Sequence, residues 1–426
     1  MQNTKRFFVA SIVFFLWFVF FPCVAFFFVK SSIARAASVG ETSVSISKNT
    51  TAIVFWHSLN ATQTNILKNS LQRFTKRTGI LVKLETGMDL RNGLLKQKHY
   101  GALPDVVLGT ADFMAIGKEV ELSSIPIDFI PRDVGSRFVK ELSLDNVSMG
   151  VPLFSGNHLV LYSNASIVSS PAKTWEEIFE QHAEIKRKGF LTLALPVGEP
   201  YFFLPFVLQA GVFADGVLTP NLQNDWDKFA KALDSYSKLI TAEIVPSNCS
   251  FSCSSTDFLK GKFAYTVSGD WLFADALAAL GSSLRVSDLP SLGGKPMRSI
   301  SSTQGLFFPG RSLYGSNKSA LQKLVRHLLN SSEQYEFARA TGRLPATDTA
   351  MEKIFRLSLS SENRELLRIF KESQPMRSTR ESILTWMILS KALEYRIQNV
   401  APTSAIVETL RVQTIRRLQQ YREEIH

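Results

Sequence analysis

Apolar and polar residues alternate along the chain in blocks that have the lengths of single strands and helices. The apolar run 52–56 predicts a buried strand, and 60–77 predicts a helix because its apolar residues recur at helical spacing. Alternation over 80–84 and the apolar run 106–108 predict two further strands. Strand, helix and strand in this order indicate a parallel sheet with crossover helices.

The same order of elements returns after residue 150. Apolar runs at 151–153 and 159–162 predict strands, and Thr174 with Glu177 three residues later forms a capping box that begins a helix. Further apolar runs predict strands at 191–195, 263–267 and 305–308.

The last part of the chain is predicted to be helical. Residues 318–341 predict one helix that Gly342 ends, and 350–421 predict helices with breaks at Pro375 and Pro402. Two α/β units therefore share the chain, and the late segments can belong to either unit. This organisation indicates two lobes that the chain crosses more than once, and a cleft between lobes is the usual place for a small ligand.

The N-terminus carries a targeting signal. Lys5 and Arg6 precede an apolar run at 7–29, and the small residues at 34–36 resemble a cleavage site. These features predict a Sec-type signal peptide over 1–36. The apolar run is long for a signal peptide, so an uncleaved membrane anchor is the alternative. Either form places the rest of the chain outside the cytoplasm, in the periplasm or the extracellular space.

The composition is that of a globular protein, with 45% hydrophobic and 20% charged residues. The net charge is +11, but four of the basic residues lie in the leader, and no run of five lysines or arginines occurs. We therefore expect a basic surface that does not bind nucleic acid.

Two cysteines, Cys249 and Cys253, follow the leader. Outside the cytoplasm a disulfide between them is favoured. Two cysteines without further cysteines or histidines at ligand spacing do not make a metal site. We expect neither a metal nor a cofactor.

Two tryptophans, Trp56 and Trp271, occupy similar positions, each at the end of an apolar strand and directly before a helix. Ligands of open α/β sheets lie at the carboxyl ends of strands, where an indole ring can stack on a sugar or a glycerol backbone. Burial in the core is the alternative for each ring. Gly269 and Asp270 favour the ligand role for Trp271, because we do not expect a core tryptophan between polar turn residues.

Polar residues near the same strand ends are further candidates. Ser58, Ser268 and the turn that contains Ser155 and Asn157 offer hydroxyl and N–H groups, although such residues also cap helices and form turns. The loop arginines that can pair with a phosphate or a carboxylate, or lie solvated at the surface, are Arg343 and Arg377.

Enzyme signatures are missing from the sequence, which contains no G-x-S-x-G, H-E-x-x-H or G-x-G-x-x-G motif. We therefore expect a binding protein that is not an enzyme. The alternative is an exported enzyme that acts on glycans or phosphodiesters with cleft carboxylates such as Asp105 and Asp270.

Seven segments carry a resemblance that covers about residues 52 to 400. In order they are IVFWHS, FTKRTGILV, PDVVLG, VPLFSGNHLVLYSN, PAKTWEEI, FLKGKFAYTVSGDW and FARATGRLPA. In this order they resemble segments of the extracellular solute-binding proteins of ABC importers, family 1, the maltose-binding type. The FWHS segment and the Pro-x-Arg segment at 377 are most similar to the glycerol-3-phosphate-binding branch.

The resemblance implies an α/β, two-lobed periplasmic-binding-protein fold (type II), in which each lobe is a mainly parallel sheet flanked by helices. The residues that it implies for the lining of the cleft are Trp56, Ser58, Trp271 and Arg377, with Gly305 on a strand that re-enters it. The glycerol-3-phosphate branch has a tyrosine where this chain has Arg343. Sugars, oligosaccharides and glycerophosphates therefore all stay open as ligands.

The resemblance also implies lobe boundaries and a mechanism. The expected organisation is a leader (1–36), a linker (37–50), a first lobe (51–151 plus 300–346) and a second lobe (152–299 plus 347–426). The lobes of a monomer would close over one small polar solute and deliver it to the membrane subunits of an ABC permease. A membrane-anchored sensor or scaffold of the same fold is the alternative that an uncleaved leader would favour.

Overall fold

The computed structural model describes residues 52–425 except 88, 214–216, 220–221, 223–224 and 357–359. The predicted leader, including the apolar run 7–29, and the predicted linker lie outside the described residues. Within the described part, no helix combines the length and the apolar composition that a bilayer-spanning segment needs.

Strands and helices follow one another in the order that the sequence pattern predicts. The strands are β1 (Ile53–His57), β2 (Val82–Thr86), β3 (Val106–Thr110), β4 (Ser143–Leu144), β5 (Val147–Ser148), β6 (Val151–Ser155), β7 (Leu159–Asn164), β8 (Leu191–Ala194), β9 (Val217–Leu218), β10 (Phe263–Gly269), β11 (Leu284–Ser287), β12 (Ile300–Ser301), β13 (Gln304–Phe307), β14 (Leu344–Pro345), β15 (Gln374–Pro375) and β16 (Arg377–Ser378). The helices are α1 (Ala61–Thr78), α2 (Leu90–His99), α3 (Ser136–Glu141), α4 (Trp175–Arg187), α5 (Pro200–Gln209), α6 (Trp226–Thr241), α7 (Phe273–Leu280), α8 (Lys318–Leu328), α9 (Ser331–Thr341), α10 (Asp348–Arg356), α11 (Ser361–Glu372), α12 (Ser382–Ile397) and α13 (Thr403–Ile425).

The strands form two main sheets, one in each lobe. The first has the order β14-β6-β13-β3-β1-β2 and the second has the order β11-β7-β10-β8. β1 pairs in parallel with β2 and β3, and β10 pairs in parallel with β8. The carboxyl ends of these strands therefore lie at one edge of each sheet, where the candidate site residues were predicted.

The two sheets are mixed, which differs from the expectation of mainly parallel sheets. β13 runs antiparallel to β3 and β6, β14 to β6, and β7 to β10 and β11. The chain crosses from one lobe to the other directly after three strands, which are β6, β11 and β14. The first main-sheet strands that follow a crossing are β7 and β13. Antiparallel pairing thus follows from the passage of the chain between the lobes.

The connections between the lobes suggest revised boundaries. The chain leaves the first sheet after β6 and the second sheet after β11, and it leaves the first sheet again after β14. The second connection, after β11, contains β12, and the third, after β14, contains β15. These two connections contact each other, because β12 and β15 pair in parallel. Since β6 belongs to the first sheet, we propose that the first lobe extends to Ser155 and that α11, α12 and α13 belong to the second lobe, where they contact β11, α5 and α6.

Local polar contacts begin and end the helices. The side chain of Asn60 accepts a hydrogen bond from the N–H of Gln63 at the start of α1, and Gly79 ends the helix at a φ of 72°. Thr174 caps α4 by accepting from the N–H of Glu177 at 3.0 Å. The predicted single helix over 318–341 is two helices, because the side chain of Asn330 accepts from the N–H of Ser332 and begins α9.

Candidate functional site

The strand ends of the two lobes meet beside the first turn of α1. The amide of Asn60, which follows β1, donates to the carbonyl of Trp271 at 3.1 Å and to Asp275 at 3.2 Å. The hydroxyl of Thr62 donates to Asp275 at 2.8 Å. Trp271 follows β10 and Asp275 lies on α7, so these hydrogen bonds join the carboxyl end of a strand in one lobe to the carboxyl end of a strand in the other.

Trp56 is half-buried at the end of β1. Its indole Nε1 donates to Glu85 Oε2 at 2.6 Å, and a Cβ placed on Gly93 would lie 3.4 Å from the indole ring. Hydrogen bonds from Lys83 and from Trp56 lower the pKa of Glu85, so this carboxylate stays ionised beside the ring. The N–H edge of the indole is therefore held by a hydrogen bond to β2, and the opposite edge of the ring lies next to Gly93 of α2.

Trp271 is also half-buried, in the turn between β10 and α7. The ring centroids of Tyr201 and Phe202 lie 6.4 and 6.5 Å from that of Trp271. A Cβ on Gly269 would overlap the indole ring, so the ring is folded back over Gly269. Two aromatic residues at the start of α5 and one glycine thus fix the position of Trp271.

A buried polar network forms the connection between β6 and β7. The N–H of Asn157 donates to Asp270 Oδ2 at 2.9 Å, and the N–H of Asp270 donates to the carbonyl of His158 at 3.1 Å. The hydroxyl of Tyr201 donates to the carbonyls of Asn157 and Ile300. The first connection between the lobes therefore contacts Asp270, which is completely buried, and Tyr201 joins the first connection to the second.

Carboxylates stand at the strand ends of both lobes. Asp89 follows β2 and caps α2 by accepting from the N–H of Asn92 at 3.1 Å. Glu199 precedes α5 in the second lobe. Burial raises the pKa of Glu199, and the charge of Asp89 raises it further. The two carboxylates are thus close enough to repel each other across the lobes.

The remaining predicted residues differ in their accessibility. Ser58 is exposed, whereas Ser268 is 2% exposed. Ser155 is buried and its hydroxyl donates to the carbonyl of Pro345 at 3.4 Å. A Cβ on Gly305 would overlap the side chain of Leu142, so packing within the first sheet requires this glycine.

The two predicted arginines lie in different surroundings. Arg377 is exposed on β16, which pairs with β9. Arg343 is 2% exposed, and its guanidinium carbon lies 5.8 Å from the ring centroid of Phe154. Its Nε and Nη2 have no hydrogen-bond partner among the described residues, and burial lowers its pKa while the charge of Asp270 acts in the opposite direction. Arg343 is therefore a buried cation rather than a solvated surface residue.

Cys249 and Cys253 are joined by a disulfide whose Cα atoms are 5.2 Å apart. The carbonyl of Cys249 accepts from the N–H of Val197, in the segment between β8 and α5. Phe251, inside the disulfide loop, packs edge-on against Phe202 at 5.6 Å between ring centroids. The disulfide loop therefore contacts the segment that carries Glu199, Tyr201 and Phe202.

Comparison with known proteins decides the family. The profile of the family described as bacterial extracellular solute-binding protein matches residues 69–355, which is more than half of the chain. The chain belongs to this family. Membership places this solute-binding protein outside the cytoplasm and among binding proteins rather than enzymes, in agreement with the sequence analysis.

Solved structures share the fold of this solute-binding protein. One is the maltose/maltodextrin-binding domain MalE from Bdellovibrio bacteriovorus bound to maltotriose, with a TM-score of 0.75 and 23% identity over 87% of this chain and 100% of that one. Another is the Thermus thermophilus maltotriose binding protein bound with maltotriose, with a TM-score of 0.74 and 18% identity over 86% of this chain and 100% of that one. These likenesses confirm the predicted two-lobed fold.

Several residues beside the strand ends of this solute-binding protein were not predicted from the sequence. Tyr201, Glu199 and Asp89 each follow a strand of a main sheet, and this position is the signal that could have identified them. Asn60 and Asp275 also follow strands, β1 and β10, but that position does not reveal their contact with each other, which depends on how the lobes meet. Among the described residues, no group of three or more His, Cys, Asp or Glu side chains could hold a metal ion.

Proposed function

We propose that this solute-binding protein is the receptor of an ABC importer and that it binds a neutral oligosaccharide between its lobes. The position of Trp271 carries the proposal. Its half-buried ring lies at the end of β10 beside Tyr201, and its carbonyl accepts from Asn60 of the other lobe. An aromatic ring at such a junction offers an apolar face on which a sugar ring stacks.

The charges beside the cleft favour a neutral ligand over a phosphate. Burial raises the pKa of Glu199 in the second lobe, and the negative charge of Asp89 in the first lobe raises it further. Carboxylates accept hydrogen bonds from sugar hydroxyl groups, whereas they repel a phosphate. The maltotriose-bound proteins of the same fold give independent support for an oligosaccharide.

Glycerol 3-phosphate, or a similar glycerophosphate, is the second candidate. The observation that favours it is the buried guanidinium of Arg343, whose Nε and Nη2 lack partners in the part of the chain that the structure describes. A phosphate could accept both of these hydrogen bonds. We rank it second because Arg377 is exposed and because Asp89 and Glu199 lie at the strand ends that carry the aromatic residues.

The experiment is a calorimetric titration of the full chain with maltotriose and, separately, with glycerol 3-phosphate. We expect maltotriose to bind and Trp271→Ala to weaken that binding at least tenfold, because the stacking surface is removed. Tyr314→Ala is the matched control, since it removes a 64%-exposed aromatic side chain from the first lobe. It should change the affinity less than twofold.

Two outcomes would contradict the oligosaccharide proposal. One is unchanged maltotriose binding by folded Trp271→Ala protein, as judged by its circular dichroism spectrum. The other is binding of glycerol 3-phosphate without binding of maltotriose or of other neutral oligosaccharides, which would make the second candidate the better one.

A further inference from the structure

A cavity of about 670 Å³ lies between helices of both lobes. α7 and α11 form its side in the second lobe, and α9 and α10 form its side in the first. Neither Trp56 nor Trp271 is among its lining residues, so it is separate from the proposed oligosaccharide site, although it shares Arg343 with the second candidate function, glycerol 3-phosphate binding. Its volume is in the range of pockets that hold small organic molecules.

The walls of this cavity are largely apolar. Side chains from all four helices and from the start of β14 contribute to the lining, and they include Phe273, Leu277, Leu344, Ile354, Leu366 and Leu367. Such walls exclude a sugar with many hydroxyl groups, since each hydroxyl would lose its hydrogen bonds to water. They suit an aliphatic or aromatic body.

Two buried polar side chains also line the cavity. They are Arg343, which is 2% exposed, and His158, which is 1% exposed. His158 Nε2 donates to the carbonyl of Leu366 at 3.1 Å, and burial lowers the pKa of the ring, so His158 is neutral. Arg343 therefore supplies the positive charge at this part of the lining.

The charge of Arg343 is not neutralised by direct contact. Asp270 acts on it through space, but no ion pair within 4.0 Å joins the two residues among the described ion pairs, and Asp270 does not line the cavity. A buried cation without a partner is costly. Arg339, which is exposed and also lines the cavity, adds a second positive charge that Glu336 partly neutralises at 3.1 Å.

We propose that this cavity is a second ligand site, which takes a monocarboxylate with an apolar body. Arg343 pairs with the carboxylate, and the helices of the two lobes enclose the body. Because the walls come from both lobes, an occupant contacts both and favours one arrangement of the lobes. Binding in the cavity is then coupled to binding in the cleft, and the coupling is reciprocal.

The test uses octanoate as the probe and 1-octanol as its uncharged match, with the full chain in a calorimeter. We expect octanoate to bind saturably with one molecule per chain and to bind at least tenfold more tightly than 1-octanol. Equal affinity for the two probes would overturn the assignment of the carboxylate to Arg343. Absence of saturable octanoate binding would overturn the site itself.

Adjacent alanines on α7 provide a matched pair of variants. Both are exposed, but Ala278 lines the cavity and Ala279 does not. Ala278→Trp should fill the cavity and weaken octanoate binding at least tenfold, and Ala279→Trp should change it less than twofold. Equal effects of the two substitutions would contradict this location. The result does not depend on the cleft ligand, because a failure of maltotriose to bind leaves the octanoate titration unaffected.

The role of the guanidinium is tested by Arg343→Met combined with Asp270→Asn, which removes both buried charges together. The double variant keeps the charge balance of the interior, so it avoids leaving one buried charge alone. We expect octanoate and 1-octanol to bind this variant with affinities within twofold of each other. A retained preference for octanoate in the folded double variant would show that Arg343 does not hold the carboxylate.

Discussion

The ring of Trp271 depends on the absence of a side chain two residues earlier. The φ of Gly269 is −91°, which any residue adopts, so the backbone does not require glycine at this position. Space requires it, because a Cβ there would overlap the indole ring. Gly269 therefore acts by leaving room for the ring of Trp271. This role does not depend on a contact between the N–H group of Gly269 and a ligand.

Gly269→Ala should displace the ring of Trp271 and weaken maltotriose binding at least tenfold, with a loss of about 1–3 kcal/mol in the free energy of unfolding from overpacking. Gly198→Ala is the control, because a Cβ there would have its nearest neighbour, in Ile397, at 3.9 Å. Calorimetry and urea unfolding measure the two effects. Equal behaviour of the two variants would contradict the positioning role.

Single residues were predicted unevenly from the sequence. The positions of Trp56 and Trp271 at strand ends were predicted because strand ends can be recognised from apolar runs, and both rings are half-buried there. Arg343 lies in a loop, as predicted, but it is buried against Phe154 rather than solvated. Its burial depends on β14 joining the first sheet beside β6, and a two-residue strand has no periodicity that a sequence reveals.

At the scale of elements, the start of α1 has two roles. The side-chain oxygen of Asn60 caps the helix by accepting from the N–H of Gln63 at 2.9 Å, while its amide nitrogen donates to Trp271 and Asp275 of the other lobe. One asparagine thus stabilises a helix with its acceptor and a contact between lobes with its donor.

Two substitutions at Asn60 should separate these roles. Asn60→Ala removes both, and we expect it to lower the free energy of unfolding by about 1 kcal/mol from the cap alone. Asn60→Asp keeps the capping acceptor but places a carboxylate beside Asp275, so helix stability should be retained while the lobes separate. Urea unfolding reports the first effect, and faster hydrogen exchange in α7 reports the second. Unchanged exchange in Asn60→Asp would contradict the contact between the lobes.

Elements with strong local signals were predicted well, and those that depend on distant partners were not. The helix start capped by Thr174 and the strand β10 follow from local sequence, and both are present. The interruption between α8 and α9 was missed, because the apolar spacing continues through Asn330. β12 and β15 were missed as well, since each exists only because the other lies beside it.

At the scale of the whole molecule, the two lobes are joined by several kinds of contact. A small apolar cluster combines Phe138 and Leu344 of the first lobe with Leu367 and Phe370 from α11. The hydrogen bonds of Thr62 and Asn60 to Asp275 form a second contact. Ligand-driven closure requires that contacts of this kind break and form, whereas a rigid scaffold would keep them all.

A covalent link between the lobes tests for that motion without any ligand. Thr62 Oγ1 and Asp275 Oδ1 are 2.8 Å apart, so Thr62→Cys with Asp275→Cys places two thiols close enough for a short bifunctional thiol cross-linker, which fixes the present arrangement. If the unlinked lobes move, the wild-type protein samples more open forms, and X-ray scattering should give it a larger radius of gyration than the linked variant.

Single-cysteine variants control for loss of the hydrogen bonds, and the linked protein should take up maltotriose at least tenfold more slowly than they do. Equal radii and equal rates would mean that the lobes do not open, and a receptor that releases its solute to a permease needs them to open.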